Sequence, residues 1–97
     1  EAFCLFADRE GFKPYEKHHS TARDAGRLAA GLDVHNLLLY HTEDQTLSAR
    51  RCTYAAEAAE FFSGCIHVPD DLERILLSAN KIGRKFFPTE IVLTPTL

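Results

Sequence analysis

The sequence predicts an α/β fold laid down as strand, helix, strand, helix, strand, and three observations carry that prediction. Leu37-Leu38-Leu39-Tyr40 is an unbroken apolar run, the pattern of a strand covered on both faces in a parallel or mixed sheet. Ala22, Ala25, Leu28, Ala29 and Leu32 recur at spacings of three and four, as on one face of a helix. A second such stripe runs from Leu47 through Tyr54, Ala55, Ala58, Phe61 and Phe62.

Taken in order, Ala2 to Phe6 is short, aromatic-rich and bounded by polar residues, which reads as a buried strand. Asp8 to His19 contains Gly11 and Pro14 and has no apolar period, so a surface loop of about a dozen residues is expected, long enough for a functional role. Ser20 is the expected N-cap of the first helix, with Gly31 near its end. The turn-like Asp33-Val34-His35-Asn36 leads into the second strand, and Thr42 to Thr46 is a polar loop. The second helix begins at Leu47, with Gly64 as its left-handed terminator. Cys65-Ile66-His67-Val68 forms the third strand, closed by Pro69.

Beyond Pro69, Asp70 and Glu73 have capping-box spacing, and Leu72, Ile75, Leu76, Ala79 and Ile82 fall at helical intervals. Local rules therefore favour a helix to about Lys85, with strands as the alternative. Ile91-Val92-Leu93 adds a last strand before Pro95, and residues 78–97 are read as a tail.

The chain has 97 residues, 45% hydrophobic and 26% charged, with a net charge of −3. One domain is expected, or one portion of a larger one. No apolar run approaches the roughly 20 residues of a membrane-spanning helix, so no membrane partner is expected. Methionine is absent altogether, which points to processing or to a piece of a longer protein. Cys4, Cys52 and Cys65 are odd in number and lack C-x-x-C spacing, which indicates neither a disulfide framework nor a zinc knuckle and favours a reducing, cytoplasmic location. Interspersed acids and bases argue against binding nucleic acid through the overall field. Lys81, Arg84 and Lys85, followed by Phe86 and Phe87, form a local basic and aromatic group that reads either as a nucleic-acid contact or as a solvated helix end. A homodimer is an allowed assembly.

Three places could carry chemistry. His41 follows the Leu37 to Tyr40 strand directly, and ligands of α/β sheets collect at the carboxyl ends of strands. An imidazole there suits a metal ion, with an incidental strand-end histidine as the alternative. His18-His19-Ser20-Thr21 opens the first helix, where backbone N–H groups and the Ser20 and Thr21 hydroxyls could cradle a phosphate and His19 could donate a proton. Glu1 places a carboxylate at the edge of the first strand.

In that order, Glu1-Ala2-Phe3, His19-Ser20-Thr21 and Leu37-Leu38-Leu39-Tyr40-His41 resemble the carboxy-terminal part of ribonuclease Z and its relatives in the metallo-β-lactamase superfamily. There, a His-Glu-Ala-Thr stretch and a His-Ser-Thr stretch border one loop, and a histidine after the next strand binds metal. The resemblance extends to about Leu77 and includes Tyr54 to Phe62, Gly64 and Val68 to Glu73. It implies the carboxy-terminal part of a four-layer αββα fold and a hydrolase of phosphodiesters or esters using two zinc ions. His41 is implied as a metal ligand, His19 as a catalytic group beside the scissile phosphate, and Glu1 as the carboxylate that orients His19.

Cys4 stands where the family pattern has Thr, and Thr42-Glu43-Asp44-Gln45 replaces its Ser followed by Arg-Tyr. Glu43 and Asp44 beside the site weaken RNA as a substrate. The His-x-His-x-Asp-His motif that supplies most of the metal ligands is absent, so at most one partial zinc ligand is expected and the chain alone should be inactive. The alternative is a small α/β interaction module without catalysis.

Overall fold

The computed structural model describes residues 1–45, 47–77 and 89–92. Its centre is a parallel pair of short strands, β1 (Asn36–Leu38) and β2 (Cys65–His67), in the register Asn36 with Cys65, Leu37 with Ile66 and Leu38 with His67. The Leu39 N–H extends the pairing to the His67 carbonyl at 2.9 Å. Parallel strands need a crossover, and here it contains a 3₁₀ turn, Leu47–Ala49, and a helix, Arg50–Ala58. The mixed α/β class agrees with the sequence pattern, whereas the strand expected over Leu37 to Tyr40 is shorter and shifted, ending at Leu38, with Leu39 buried and Tyr40 exposed before His41.

Among the described residues, three α-helices accompany this pair: α1 (Arg9–Phe12), α2 (Ala22–Leu32) and α3 (Arg50–Ala58). Ala2, Ala22, Leu39, Tyr54, Ala58 and Val68 form the buried cluster, to which each fully buried large side chain contributes about 1.5–3 kcal/mol. The apolar stripe expected on α2 is rotated. Ala22, Gly26 and Ala29 are buried, whereas Leu28 and Leu32 are 64% and 65% exposed. The reason is a close helix contact, since a Cβ on Gly26 would meet the Ala58 carbonyl oxygen at 2.3 Å. Only small side chains fit between α2 and α3.

Three arginines and two phenylalanines tie the helices along another face. The Arg9 and Arg23 guanidinium carbons lie 3.9 and 4.5 Å from the Phe6 ring centroid, and those of Arg23 and Arg27 lie 5.2 and 5.3 Å from that of Phe61.

Several expectations are corrected. Ala2 to Phe6 is buried in part but forms no strand among the described residues. Its backbone groups go to two different segments: Ala2 N–H to the Tyr40 carbonyl at 3.0 Å and Phe3 N–H to the Ser20 carbonyl at 2.8 Å. Cys4 makes one isolated bridge with Thr21. The chain then turns into a 3₁₀ segment at Phe6–Asp8, because the Glu57 carboxylate accepts the Phe6 and Ala7 N–H groups. The expected loop between Asp8 and His19 contains α1 and a second 3₁₀ turn, Tyr15–Lys17.

Ser20 does not cap α2. Thr21 does, through a capping box in which its hydroxyl accepts from Asp24 N–H at 3.2 Å and its own N–H donates to Asp24 Oδ2 at 3.0 Å. Gly64 lies beyond the end of α3 and is not left-handed. Its constraint is space, as a Cβ there would sit 2.6 Å from the His35 carbonyl oxygen.

The helix favoured after Asp70 is replaced by strand β3 (Arg74–Leu77), paired antiparallel with β4 (Thr89–Val92). Half of the expected box exists, with Asp70 N–H donating to Glu73 Oε1 at 3.1 Å. Leu72, however, has a φ of 66°, which ends any helix there. Ile75 is buried between exposed Arg74 and Leu76, the period of a strand. Ala79, Ile82 and the basic group Lys81, Arg84, Lys85, Phe86 and Phe87 lie outside the described residues. Cys4, Cys52 and Cys65 are all free thiols.

Candidate active site

The first residues of the chain run between the start of α2 and the end of β1, and this juxtaposition builds the site. Ala2 is bonded to Tyr40 and Phe3 to Ser20, while Glu43 N–H donates back to the Phe3 carbonyl at 2.6 Å. Glu1 is thereby set between residues 19–20 and residue 41.

His19 arrives from a turn. Pro14 starts the 3₁₀ segment, His18 ends it in a left-handed conformation with φ 61°, and His19 N–H returns to the Pro14 carbonyl at 2.9 Å. His41 is also left-handed, with φ 62°, in the segment that follows β1. Such a backbone is uncommon for a residue with a Cβ and persists only where the surroundings impose it.

Both histidines present Nδ1 to the same oxygen of Glu1: His41 at 2.6 Å and His19 at 2.9 Å. The other oxygen, Oε1, accepts the Ser20 backbone N–H at 3.1 Å. Burial pushes the Glu1 carboxyl upward, but the hydrogen bonds from His41, His19 and Ser20 outweigh it and hold the group down to about 2. Near neutral pH Glu1 is therefore an anion that can only accept, so each Nδ1 carries a proton and the two Nε2 atoms remain for other partners.

Phe3 stacks on His19, with centroids 4.6 Å apart and planes at 25°, and the two imidazoles meet edge to face at 5.2 Å. His41 also forms part of the wall of a cleft of about 580 Å³, with Phe3, Lys17, Asp44, Arg50 and Asp71 among its neighbours.

Glu1, His19 and His41 each offer a ligand atom within 4.8 Å of the others, the one such group of three among the described residues. His18 and His67 do not join it; His67 Nε2 faces Asn36 Oδ1 at 3.2 Å. The sequence alone predicts at most one partial zinc ligand, at His41, and does not foresee that the fold gathers this possible ligand group. Two imidazoles and a carboxylate are a donor set suited to zinc. Ser20 contributes its backbone N–H to Glu1, and Thr21 is fully buried in the cap of α2, so its hydroxyl is committed to Asp24.

Glu43 does not act as an open charge beside the site. It is 6% exposed, and its oxygens accept from Gln45 N–H at 2.6 Å and the Tyr54 hydroxyl at 3.2 Å, closing the loop after His41 onto the core. Asp44 remains on the cleft wall.

Sequence reasoning missed two residues. Glu57 occupies an inward position of α3, three residues after Tyr54 on the same stripe, and that placement of an acid was the available signal. Arg50 ties Thr42 to Asp70, and no local pattern announces it.

The chain is 40% identical over 76 residues to a ribonuclease Z of Nocardia farcinica (strain IFM 10152). That match covers 76% of this chain and 24% of the relative, so the chain spans about a quarter of that protein's length. No family model matches the chain, and no solved structure matches it significantly. The similarity relates the matched segment to part of a ribonuclease Z.

Proposed function

We propose that this chain is the carboxy-terminal portion of a zinc-dependent hydrolase of the metallo-β-lactamase superfamily, ribonuclease Z-like, cleaving phosphodiesters or esters in the cytoplasm. The observation that carries the reading is the single Glu1 oxygen shared by His19 and His41, whose order along the chain fits the motifs of that family. The 76-residue similarity supports it. So does the outward face of α2, because exposed Leu28 and Leu32 are the kind of apolar surface that the remainder of a larger four-layer αββα domain would cover.

In this reading Glu1 accepts Nδ1–H from both rings and thereby fixes both tautomers. His41 would hold metal through Nε2, directed by the rigid end of β1. Zinc, when bound, would supply Lewis-acid chemistry toward a phosphoryl or carbonyl group. His19 passes a proton from Nε2 to the departing oxygen, and the Glu1 anion balances the positive charge that the ring carries before transfer. Phe3 keeps one face of the His19 ring from water.

RNA stays within the substrate class, because Glu43 is turned into internal hydrogen bonds and the acids Asp44 and Asp71 on the cleft wall are accompanied by the cations Lys17 and Arg50. The remaining metal ligands come from outside these residues, so the chain alone is inactive.

The test is zinc titration and phosphodiesterase turnover with this chain and with the complete protein that contains it. Turnover should belong to the complete protein and be lost in His41→Ala and His19→Ala. Turnover by the chain alone would overturn the division of the site, and variants that leave every property intact would favour the interaction-module reading.

A further inference from the structure

We propose that Arg50 is a positioning residue that holds His41 in its left-handed conformation by bonding Thr42. Arg50 begins α3, and its side chain is 14% exposed. One end of the guanidinium donates from Nη1 to Thr42 Oγ1 at 2.9 Å, and the other pairs with Asp70. Thr42 follows His41 at the end of β1, while Asp70 follows the end of β2. Because the strands are parallel, both loops leave the same edge of the sheet. One planar, forked cation spans them, a geometry that lysine cannot reproduce.

The neighbouring arginine shows what Arg50 adds. Arg51 pairs with both Asp70 and Glu73 on the surface, so the loop after β2 already has a latch. The link that Arg51 does not make is the one to Thr42. Around His41, the backbone is fastened at Tyr40 and at Glu43 by residues 2 and 3. Between those two points, two side chains are held: the His41 imidazole by Glu1, and the Thr42 hydroxyl by Arg50. A φ of 62° at His41 needs such ties on both sides, and releasing one lets the residue relax toward negative φ. The imidazole would then swing away from Glu1.

Packing alone does not account for the residue. Arg50 Nε is buried without a hydrogen-bond partner, an unfavourable arrangement that an apolar side chain of similar length would avoid. The guanidinium is retained with that penalty because it spans two loops.

The experiment compares Arg50→Met, Thr42→Val, Thr42→Ser and Arg51→Met by nitrogen–proton correlation spectra of the histidine side chains. In the native chain both His19 and His41 should show the Nδ1–H tautomer. Arg50→Met and Thr42→Val should convert His41 to a mixture of tautomers while leaving His19 unchanged, and Thr42→Ser should restore the native His41 signal. Arg51→Met should lower the melting temperature without moving either ring signal. In the complete protein, zinc affinity should fall about tenfold or more in Arg50→Met and Thr42→Val. An unchanged His41 signal in both variants, or an equal change in Arg51→Met, would overturn the proposal. The histidine spectra do not depend on zinc, so failure of the hydrolase reading leaves this test intact.

Discussion

His19 and His41 stand edge to face, ring centroids 5.2 Å apart, on either side of one carboxylate oxygen of Glu1. Neither histidine can be treated separately, because the acceptor that fixes one tautomer fixes the other. Glu1→Gln should therefore disturb both rings at once: a neutral amide oxygen is a weaker acceptor for two N–H donors, and the second oxygen that takes Ser20 N–H becomes an NH₂ group. The expected outcome is loss of the uniform Nδ1–H state at both positions and a drop of about 10–100-fold in turnover of the complete protein. If only His19 responds, Glu1 serves that ring alone.

Thr21, not Ser20, holds the start of α2. Thr21→Ala removes the acceptor for Asp24 N–H and one donor to Asp24 Oδ2, and it should lower stability by about 1–2 kcal/mol in urea denaturation. Ser20→Ala should change it by less than about 0.5 kcal/mol, since Ser20 acts there through its backbone. Equal losses for the two would reverse the assignment.

These residues show where the sequence was legible. The Leu37 to Tyr40 run and the two helical stripes carry long or strongly periodic signals, and they produced β1, α2 and α3. Glu1, His19 and His41 were singled out in the sequence, and the structure brings the three together. Local spacing failed where the partner is distant in sequence. Ala2 to Phe6 looks like a strand, but its N–H groups are captured by Tyr40, Ser20 and Glu57, between 17 and 51 residues away. Leu72 to Leu76 satisfies both helical and strand spacing, and antiparallel pairing with residues 89–92 decided for the strand. Leu28 and Leu32 were assigned inward because leucine is apolar, yet the approach of Gly26 to Ala58 left room only for small residues on that face.

Glu57 clamps the first segment to the helices. Its Oε1 accepts the Phe6 and Arg23 N–H groups and its Oε2 the Ala7 N–H, and Arg23 lies in the first turn of α2, where backbone donors have no partner within the helix. Glu57→Ala leaves these donors unsatisfied and should destabilise the chain by roughly 2–4 kcal/mol. The urea m-value should stay constant, which separates a stability loss from a change in the unfolded state. A loss under about 0.5 kcal/mol would mean that water replaces the carboxylate without penalty.

The three thiols differ in reactivity. Burial, and then the negative charges of Asp8, Glu43, Glu57 and Asp24, push the Cys4 thiol up to about 11, while Cys52 and Cys65 are exposed. The thiolate is the reactive form. At neutral pH a thiol reagent should modify two cysteines readily and the third only after denaturation, as peptide mapping would reveal. Early labelling of Cys4 would show that the segment around it opens.

Asp24 makes the stability of the chain depend on acid. Its carboxyl lies below the ordinary 3.8: burial pulls it upward, and the Thr21 backbone N–H, the Tyr15 hydroxyl and the Thr21 hydroxyl together outweigh that pull. Oδ2 alone accepts from the Tyr15 hydroxyl at 2.7 Å and the Thr21 hydroxyl at 2.8 Å. A carboxyl depressed in the folded state binds its proton more readily when unfolded, so the unfolded chain holds more protons in this range. Its contribution is complete above the unfolded value and disappears as pH falls through the folded one. The stability difference between the native chain and Asp24→Asn should therefore be constant from neutral pH to about pH 5 and shrink below about pH 4. Tyr15→Phe removes one of the bonds that depress the carboxyl, so it should make that loss smaller and complete it at a higher pH, with the onset, set by the unfolded chain, unmoved. Denaturation midpoints measured for the three proteins from about pH 2 to 7 decide the matter. A native-to-Asn difference that stays the same across that range would mean that Asp24 acts through shape and hydrogen bonding alone, with no linkage to its charge.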